Sequence, residues 1–306
     1  MKTATIIDLI VDSDVHTQSM NHIIKQQHIS QRMRRRLRNE GIITVNDEPA
    51  TWNTLVHGGD HLVMKLTPEQ EFSLSPMDLD IVYEDEHILV INKAAGVLMH
   101  PTSTVRDHTL ANGVLYYYQE THQHYDFHPV HRLDKDTSGV MMAAKNDAAH
   151  IGLAEQVKEH SAKRTYWALV QGNIVEEKGT IKAPIGRHPK DRMKMAVVFE
   201  NSKDAVTHFR VLERYGHQTL VECNLETGRT HQIRVHFAHI GHPVVNDPFY
   251  GYRRMDFPIE GQALHSKSLD VKHPITGEEM HFEAPVPADF EACLEFAKTY
   301  REDKRK

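Results

Sequence analysis

The chain has 306 residues, with 36 Lys+Arg against 42 Asp+Glu for a net charge of −6, and it is 40% apolar and 25% charged. That is a globular composition, long enough for about two domains, and not a disordered one. Two cysteines, Cys223 and Cys293, exclude a disulfide framework or a Cys-rich zinc site and fit a reducing cytoplasm. No apolar run approaches the ~20 residues of a membrane span, and the opening MKTATIIDLIVDSD lacks the long apolar core of a signal peptide. The acidic total argues against a protein that coats nucleic acid indiscriminately, while leaving room for local basic patches.

The first 70 residues hold eight basic and eight acidic side chains, but residues 15–39 contain no acid at all. Within that stretch ISQRMRRRLRNEG predicts a short helix, with Ser30 as N-cap and Gly41 as terminator. Ile29, Met33 and Leu37 recur at four-residue spacing, so one face can pack while Arg32, Arg34, Arg35, Arg36 and Arg38 project. IITVN and HLVMKL then predict strands, with a turn at Asn46-Asp47. A basic helix followed by a small hairpin suits RNA phosphates; a solvated surface helix is the plainer alternative. Residues 66–78, with two prolines, form the best linker candidate.

Beyond the linker HILVINKA, VMMAA, TYWALVQG and TLVECNL predict strands. NDAAHIGLAEQVKEH predicts a helix capped by Asn146, and THQIRVHFAHIG one capped by Thr230 and ended by Gly241. Without regular βαβ alternation, this order favours an α+β domain over a doubly wound parallel sheet.

Three segments carry candidate chemistry. HPVHRLDKDTSGVMMAAKN, residues 128–146, places the polar block His131–Ser138 before a buried strand, as active-site loops do. Asp134 and Asp136 are candidate carboxylates; the plainer reading is a structural Arg–Asp pair with a capping threonine. LETGRTHQIRVHFAHIGHPVVND, residues 225–247, puts Arg229 at a helix start, where it can hold a carboxylate bidentately. KRTYWALVQG, residues 163–172, carries Tyr166, whose ring can stack on a base. Residues 182–194 hold five cations and one acid, so Arg187, Lys190, Arg192 and Lys194 are candidates for phosphate contact.

On these motifs the chain resembles the RluA-type pseudouridine synthases. HRLDKDTSG matches the family signature, whose aspartate is catalytic. NKAAGVLMHP resembles its preceding strand and loop, and KRTYWALVQG its tyrosine strand. IGRHPKDRMKMAV resembles its basic loop, TGRTHQIRVHFAHIGHPVVNDPFYG its arginine motif, and LHSKSL its late leucine motif, all in the expected order. The resemblance implies a mostly antiparallel, mixed-sheet α+β catalytic domain over 78–306, a linker at 67–77, and a small N-terminal α+β RNA-binding module over 1–66. It implies isomerisation of uridine within structured RNA, with ribosomal RNA favoured and transfer RNA the alternative. No cofactor and no metal are needed, and a cytoplasmic monomer is expected. Asp134 acts as nucleophile or base, at the base or at the sugar carbon. Arg229 is the expected partner holding Asp134 ionised. Tyr166 stacks on the uracil or moves a proton. Arg132 holds the flipped nucleotide or fills its place, with His131 and Thr137 beside it in the binding loop.

Three rival readings compete. Histidine is abundant, at 24 residues, and His122, His124, His128 and His131 cluster, as do His231, His236, His239 and His242. No HExxH motif accompanies them, which disfavours a metallohydrolase. A small-molecule hydrolase using Asp134 and Asp136 lacks a substrate motif. A non-catalytic RNA-binding protein that kept the fold is disfavoured by the presence of Asp134, Tyr166 and Arg229 together.

Overall fold

The computed structural model describes residues 4–27, 31–66, 73–123, 125–251 and 256–300. The predicted cap Ser30, the apolar Ile29, and the side chains of Arg32 and Met33 lie outside the described residues. The chain divides into two compact units, residues 1–71 and 72–306.

In the first unit the order is β1 (Ala4–Ile10), β2 (Gln18–Ser19), α1 (Met20–Gln26), α2 (Gln31–Glu40), β3 (Ile42–Val45), β4 (Glu48–Pro49), β5 (Leu55–Val56) and β6 (His61–Leu66). β1, β6, β3 and β4 form an antiparallel sheet in that order. Its apolar face closes over Ile23 and Ile24 of α1 and Leu37 of α2. Asn46 and Asp47 both have positive φ, 51° and 64°, the backbone that a two-residue hairpin turn requires. The Asn46 amide also ties the turn to the start of β6, accepting from His61 N at 2.9 Å and donating to Asp60 at 2.8 Å. α2 ends where Gly41 N donates to Leu37 O.

The second unit continues with β7 (Ile81–Glu84), β8 (Ile88–Lys93), α3 (Leu110–Glu120), β9 (His128–Pro129), β10 (Ser138–Ala144), α4 (Asp147–Lys158), β11 (Lys163–Gln171) and β12 (Lys178–Lys182). Then follow β13 (Ile185–Arg187), β14 (Met195–Val197), β15 (Ser202–Lys203), β16 (Val206–Arg214), β17 (Gln218–Leu225), α5 (Gln232–His239), β18 (Leu264–Lys272), β19 (Glu279–Glu283) and α6 (Ala288–Thr299). One sheet runs β12-β16-β17-β11-β18-β10-β8-β7, with β19 on β18 and β9 on β10. Its pairs are antiparallel except β10 with β18, which is the mixed, mostly antiparallel α+β domain expected from the sequence.

The sheet is buried on both faces at its centre, which is why β8 and β10 carry the unbroken apolar runs Ile88–Ile91 and Val140–Ala144. Leu89, Ile91 and Met141 pack on one side with Val114 of α3, Phe237 of α5 and Phe290 of α6. Ile88, Val90, Val140 and Met142 pack on the other with Ala149 and Leu153 of α4. Asn146 caps α4 as predicted, accepting from Ala149 N. α3 and α6 add to the predicted elements; α3 opens with a capping box that uses Thr109 and Asn112, where the usual Glu or Gln signal is missing.

The parallel seam is short, pairing only Ser138 with His265 and Gly139 with Ser266. Gly139 sits at φ 107°, and a Cβ there would lie 2.1 Å from the Ser266 carbonyl oxygen. Only glycine lets the two strands meet. Gly139→Ala is expected to lower stability by about 2 kcal/mol or more, through backbone strain and a clash. Urea unfolding measures it, and a loss under ~0.5 kcal/mol would mean the seam can open without cost.

Candidate active site

The loop of residues 131–137 enters the seam between β9 and β10, and α5, β11 and β18 supply the surrounding walls. Together they line a cleft with Arg132, Leu133, Asp134, Thr137, Tyr166, Leu225, Arg229, His231, Arg234 and Leu264. Its free volume is about 50 Å³, far below the roughly 300–1,000 Å³ of pockets that enclose small molecules. Such a cleft suits a ligand that inserts one protruding group. A larger depression of about 690 Å³ is walled by Glu84, Asp85, Glu86 and Lys145 and shares no residue with the cleft. Lys145 there is bound to Glu84 at 2.8 Å and to the Asp85 carbonyl at 2.6 Å, and the acids would repel a polyanion.

Asp134 lies in the cleft with its side chain 15% exposed. Its cationic partner is Arg234, not Arg229: Arg234 Nη1 donates to Asp134 at 2.9 Å. The other edge of the same guanidinium is held bidentately by Asp247, Nε at 2.7 Å and Nη2 at 2.9 Å. The rings of Phe249 and Tyr250 lie 5.4 and 5.3 Å from its central carbon. Burial alone would lower the Arg234 pKa, but the bonds and charge of Asp247, with Asp134 behind it, raise it further above the ordinary arginine value. Arg229 lines the cleft but turns outward, its Nε donating to the Asp204 carbonyl at 2.8 Å.

The reason lies in how α5 starts. Thr230 does not cap it; His231 does, in the left-handed conformation at φ 58° and without a side-chain cap bond. Gln232 organises the turn instead. Its oxygen accepts from Thr227 Oγ1 and Arg229 N, and its nitrogen donates to Val206 O and Thr207 Oγ1. That fixes residues 227–229 outside the helix, while Arg234, one turn in, faces the loop.

His231 completes the group. Tyr250 Oη accepts from Met195 N at 2.9 Å and meets His231 Nδ1 at 2.8 Å. The other ring nitrogen, Nε2, faces Asp134 at 4.0 Å. Burial, with Arg234 and Arg132 adding to it, lowers the His231 pKa against the pull of Asp134 and Asp247, so the ring stays neutral. Through Tyr250 the β13–β14 hairpin is hooked to the site.

Tyr166 is buried at 5% exposure. Burial raises its pKa, so it is a protonated phenol at neutral pH, and it lines the cleft beside Asp134. Thr137 lines the cleft, but its hydroxyl accepts from Gln262 at 3.0 Å and its N–H from the loop donates to Asp134 O at 3.1 Å. It shapes the loop. His131 does not line the cleft; its Nε2 accepts from Met142 N at 3.3 Å and ties the loop to β10. Burial, with Arg164 adding to it, pushes its pKa down to about 3. Arg132 is exposed at the mouth.

Lys93 anchors the loop from below. It is 1% exposed and donates to the carbonyls of Ala94, Val97 and Lys135 at 2.8, 2.9 and 2.9 Å. Burial pushes its pKa down to about 7, against the pull of Asp136 and Asp134.

Of the basic residues expected on RNA, Arg187, Lys190 and Arg192 are exposed, and Lys194 lies 3.9 Å from Asp191. Arg35 is exposed on α2 and Arg36 lies 3.5 Å from Glu40. His124 falls outside the described residues. Among the described residues, no three His, Cys, Asp or Glu side chains gather as metal ligands would, and no helix is long and apolar enough to cross a membrane.

Residues 87–239 match the family model described as RNA pseudouridylate synthase, and residues 7–62 match that of the RluD ribosomal pseudouridine synthase N-terminal domain. Ribosomal large subunit pseudouridine synthase D of Pseudomonas aeruginosa is 44% identical over 277 residues, 86% of this chain and 86% of its own. The uncharacterized RNA pseudouridine synthase YlyB of Bacillus subtilis is 45% identical over 262 residues, 84% of this chain and 86% of its own. Human RNA pseudouridylate synthase domain containing 1 superposes with a TM-score of 0.57 at 33% identity, covering 70% of this chain and 87% of that structure.

Arg234→Ala strands two carboxylates, one of them fully buried, and is expected to cost about 3–5 kcal/mol. Arg229→Ala removes one bond to a carbonyl at the surface and is expected to cost under about 1 kcal/mol. Chemical unfolding of both variants ranks them, and equal losses would contradict the pairing.

Lys93 gives a pH test. Between about pH 7 and the ordinary lysine value of 10.5, the unfolded chain holds this proton and the folded chain releases it. Unfolding free energy therefore climbs with pH across that window on account of this group. Lys93→Met lacks the ionisation. The stability of wild type minus variant is expected to rise from pH 7 to 9 in urea titrations; a flat difference would show Lys93 charged throughout.

Proposed function

Because the chain belongs to the family of RNA pseudouridine synthases, we propose that it isomerises uridine in large-subunit ribosomal RNA, with Asp134 at the reacting atoms. The observation that carries this reading is Asp134, bonded by Arg234 in a cleft that Tyr166 also lines. The match of the N-terminal unit to that of ribosomal synthases favours ribosomal over transfer RNA. In the reaction the C1′–N1 bond breaks and a C1′–C5 bond forms. The proton on C5 leaves and N1 gains one, so no co-reactant is required.

Each residue has a task set by its position. The target base leaves its stack, at a cost of about a few kcal/mol, and inserts against Tyr166. Exposed Arg132 at the mouth holds the extruded nucleotide or fills its place. Asp134 acts as nucleophile or base, at the base or the sugar, and Arg234 orients it. Arg229 at the rim contacts the RNA. Arg187, Lys190, Arg192 and Lys194 on the β13–β14 hairpin meet phosphates, and Arg32, Arg35 and Arg36 of α2 are assigned to RNA in the first unit. The protein works as a cytoplasmic monomer; its two buried, unpaired thiols accord with a reducing compartment.

Tritium release from a large-subunit ribosomal RNA transcript labelled at uridine C5 measures turnover directly. Wild type is expected to release it and Asp134→Asn to fall below detection while still folding. Arg229→Ala is expected to raise KM several-fold and leave kcat within about threefold, because it touches RNA and not Asp134. Release by Asp134→Asn near the wild-type rate would overturn the role of Asp134, and release from a transfer RNA transcript alone would overturn the target.

A further inference from the structure

Among the buried cations of the catalytic unit, Arg164 stands apart. It lies on β11 two residues before Tyr166, so the two share a face of the strand, and it is only 4% exposed. Its Nε is buried with no hydrogen-bond partner. Among the described residues no ion pair or hydrogen bond engages its guanidinium. A buried guanidinium without an acid is expensive to keep. Arg234 and Lys93, by contrast, each spend every donor edge on a partner.

The placement of Arg164 says what it is kept for. It is not itself part of the cleft wall, but it lies on β11 beside Tyr166, which is, and its charge acts on that phenol. A Cβ built on Gly228 would meet one atom within 4 Å, Arg164 Nη1 at 3.0 Å. Gly228 is exposed, so at this point only a glycine covers the guanidinium. Any larger side chain would lid it. Nη1 therefore has no side chain of residue 228 between it and the surface. Tyr166 lines the cleft, and a nucleotide stacked there carries its phosphates one sugar away.

We propose that Arg164 is a phosphate subsite: the phosphodiester next to the target uridine passes over Gly228 and pairs with the guanidinium from outside. This rests on the reading of the cleft as the uridine site. The planar fork of arginine suits a phosphate bidentately. The group is left unpaired in the free protein so that substrate supplies the missing anion. Its buried charge then favours a backbone that brings a phosphate to that point over a uracil presented without one.

The test uses the full chain, with binding and tritium release both read on the large-subunit ribosomal RNA transcript. Arg164→Met, which keeps bulk and removes charge, is expected to raise KM at least tenfold. It should flatten the slope of log affinity against log salt by about 0.7–0.9, the signature of one lost phosphate contact. Its Tm should equal or exceed that of wild type, since the variant buries an apolar chain in place of an unpaired charge. Arg164→Lys, retaining the charge, should recover most of the salt slope and part of the affinity. An unchanged salt slope in Arg164→Met overturns the proposal; joined to a Tm several degrees lower, it would make Arg164 a structural residue. If wild type binds the transcript but releases no tritium, the reading of function fails, and the salt slope still decides Arg164.

Discussion

The site depends on one guanidinium shared between two carboxylates. Arg234 gives two parallel N–H bonds to Asp247 and a third to Asp134. Asp247 is itself pinned by accepting from the backbone N–H groups of Phe249 and Tyr250. The fork is therefore rigid before Asp134 arrives, and its remaining N–H has a fixed direction. A carboxylate that must be ionised and correctly aimed gains both from such a neighbour. One arginine and two aspartates carry a net −1, so the pair with Asp247 does not extinguish the charge on Asp134. It leaves the carboxylate partly exposed to the cleft, with His231 Nε2 at 4.0 Å.

The fold brings these groups together at its weakest seam. Two register pairs join β10 to β18, and they follow directly on the loop that carries Asp134. A longer parallel ladder would draw the loop into the sheet; a shorter one would let it swing. Three tethers compensate for the short seam. Gly139 permits close approach to Ser266, Lys93 holds the Lys135 carbonyl, and His131 holds Met142. Lys93 acts on the backbone of the loop and the other two on its junction with β10, leaving Arg132 and Asp134 to face the cleft. The residues of the motif thus divide into those that aim the loop and those it presents, and His131 and Thr137 belong to the first group.

Much of this was written locally in the chain. The apolar runs of β8, β10, β11 and β17, the Asn146 cap of α4 and the Asn46-Asp47 turn follow from propensity and pattern, and the structure agrees. The ordered motifs also located Asp134 and Tyr166. The expected pairing of Arg229 with Asp134 is not found; Arg234, five residues on and inside the helix, takes that place. The left-handed His231 shifts the helix start and turns the first arginine out, and no local signal announces a left-handed histidine. Asp247 was equally hidden, since its importance comes from a contact with a residue thirteen positions earlier. α3 was overlooked because its capping box uses Asn112, a residue more often found outside helices.

Charge deserves the same local reading. The total of −6 describes solubility; the partners of individual cations describe function. The exposed Arg187, Lys190 and Arg192 sit in water, where they lose little by waiting for a polyanion and contribute affinity that salt erodes. Buried cations are different, because each must be paired or left at a cost. Arg234 and Lys93 are saturated by groups of the protein itself, so their energy is spent on architecture, and removing them damages the fold. Arg164 is buried to a similar degree and saturated by nothing among the described residues. A free energy that the folded chain does not recover internally is recoverable on binding an anion, and it is recovered only when that anion stands beside Tyr166. The partner status of a buried charge, more than its burial or its sign, separates the arginines that build this site from the one that waits for its substrate.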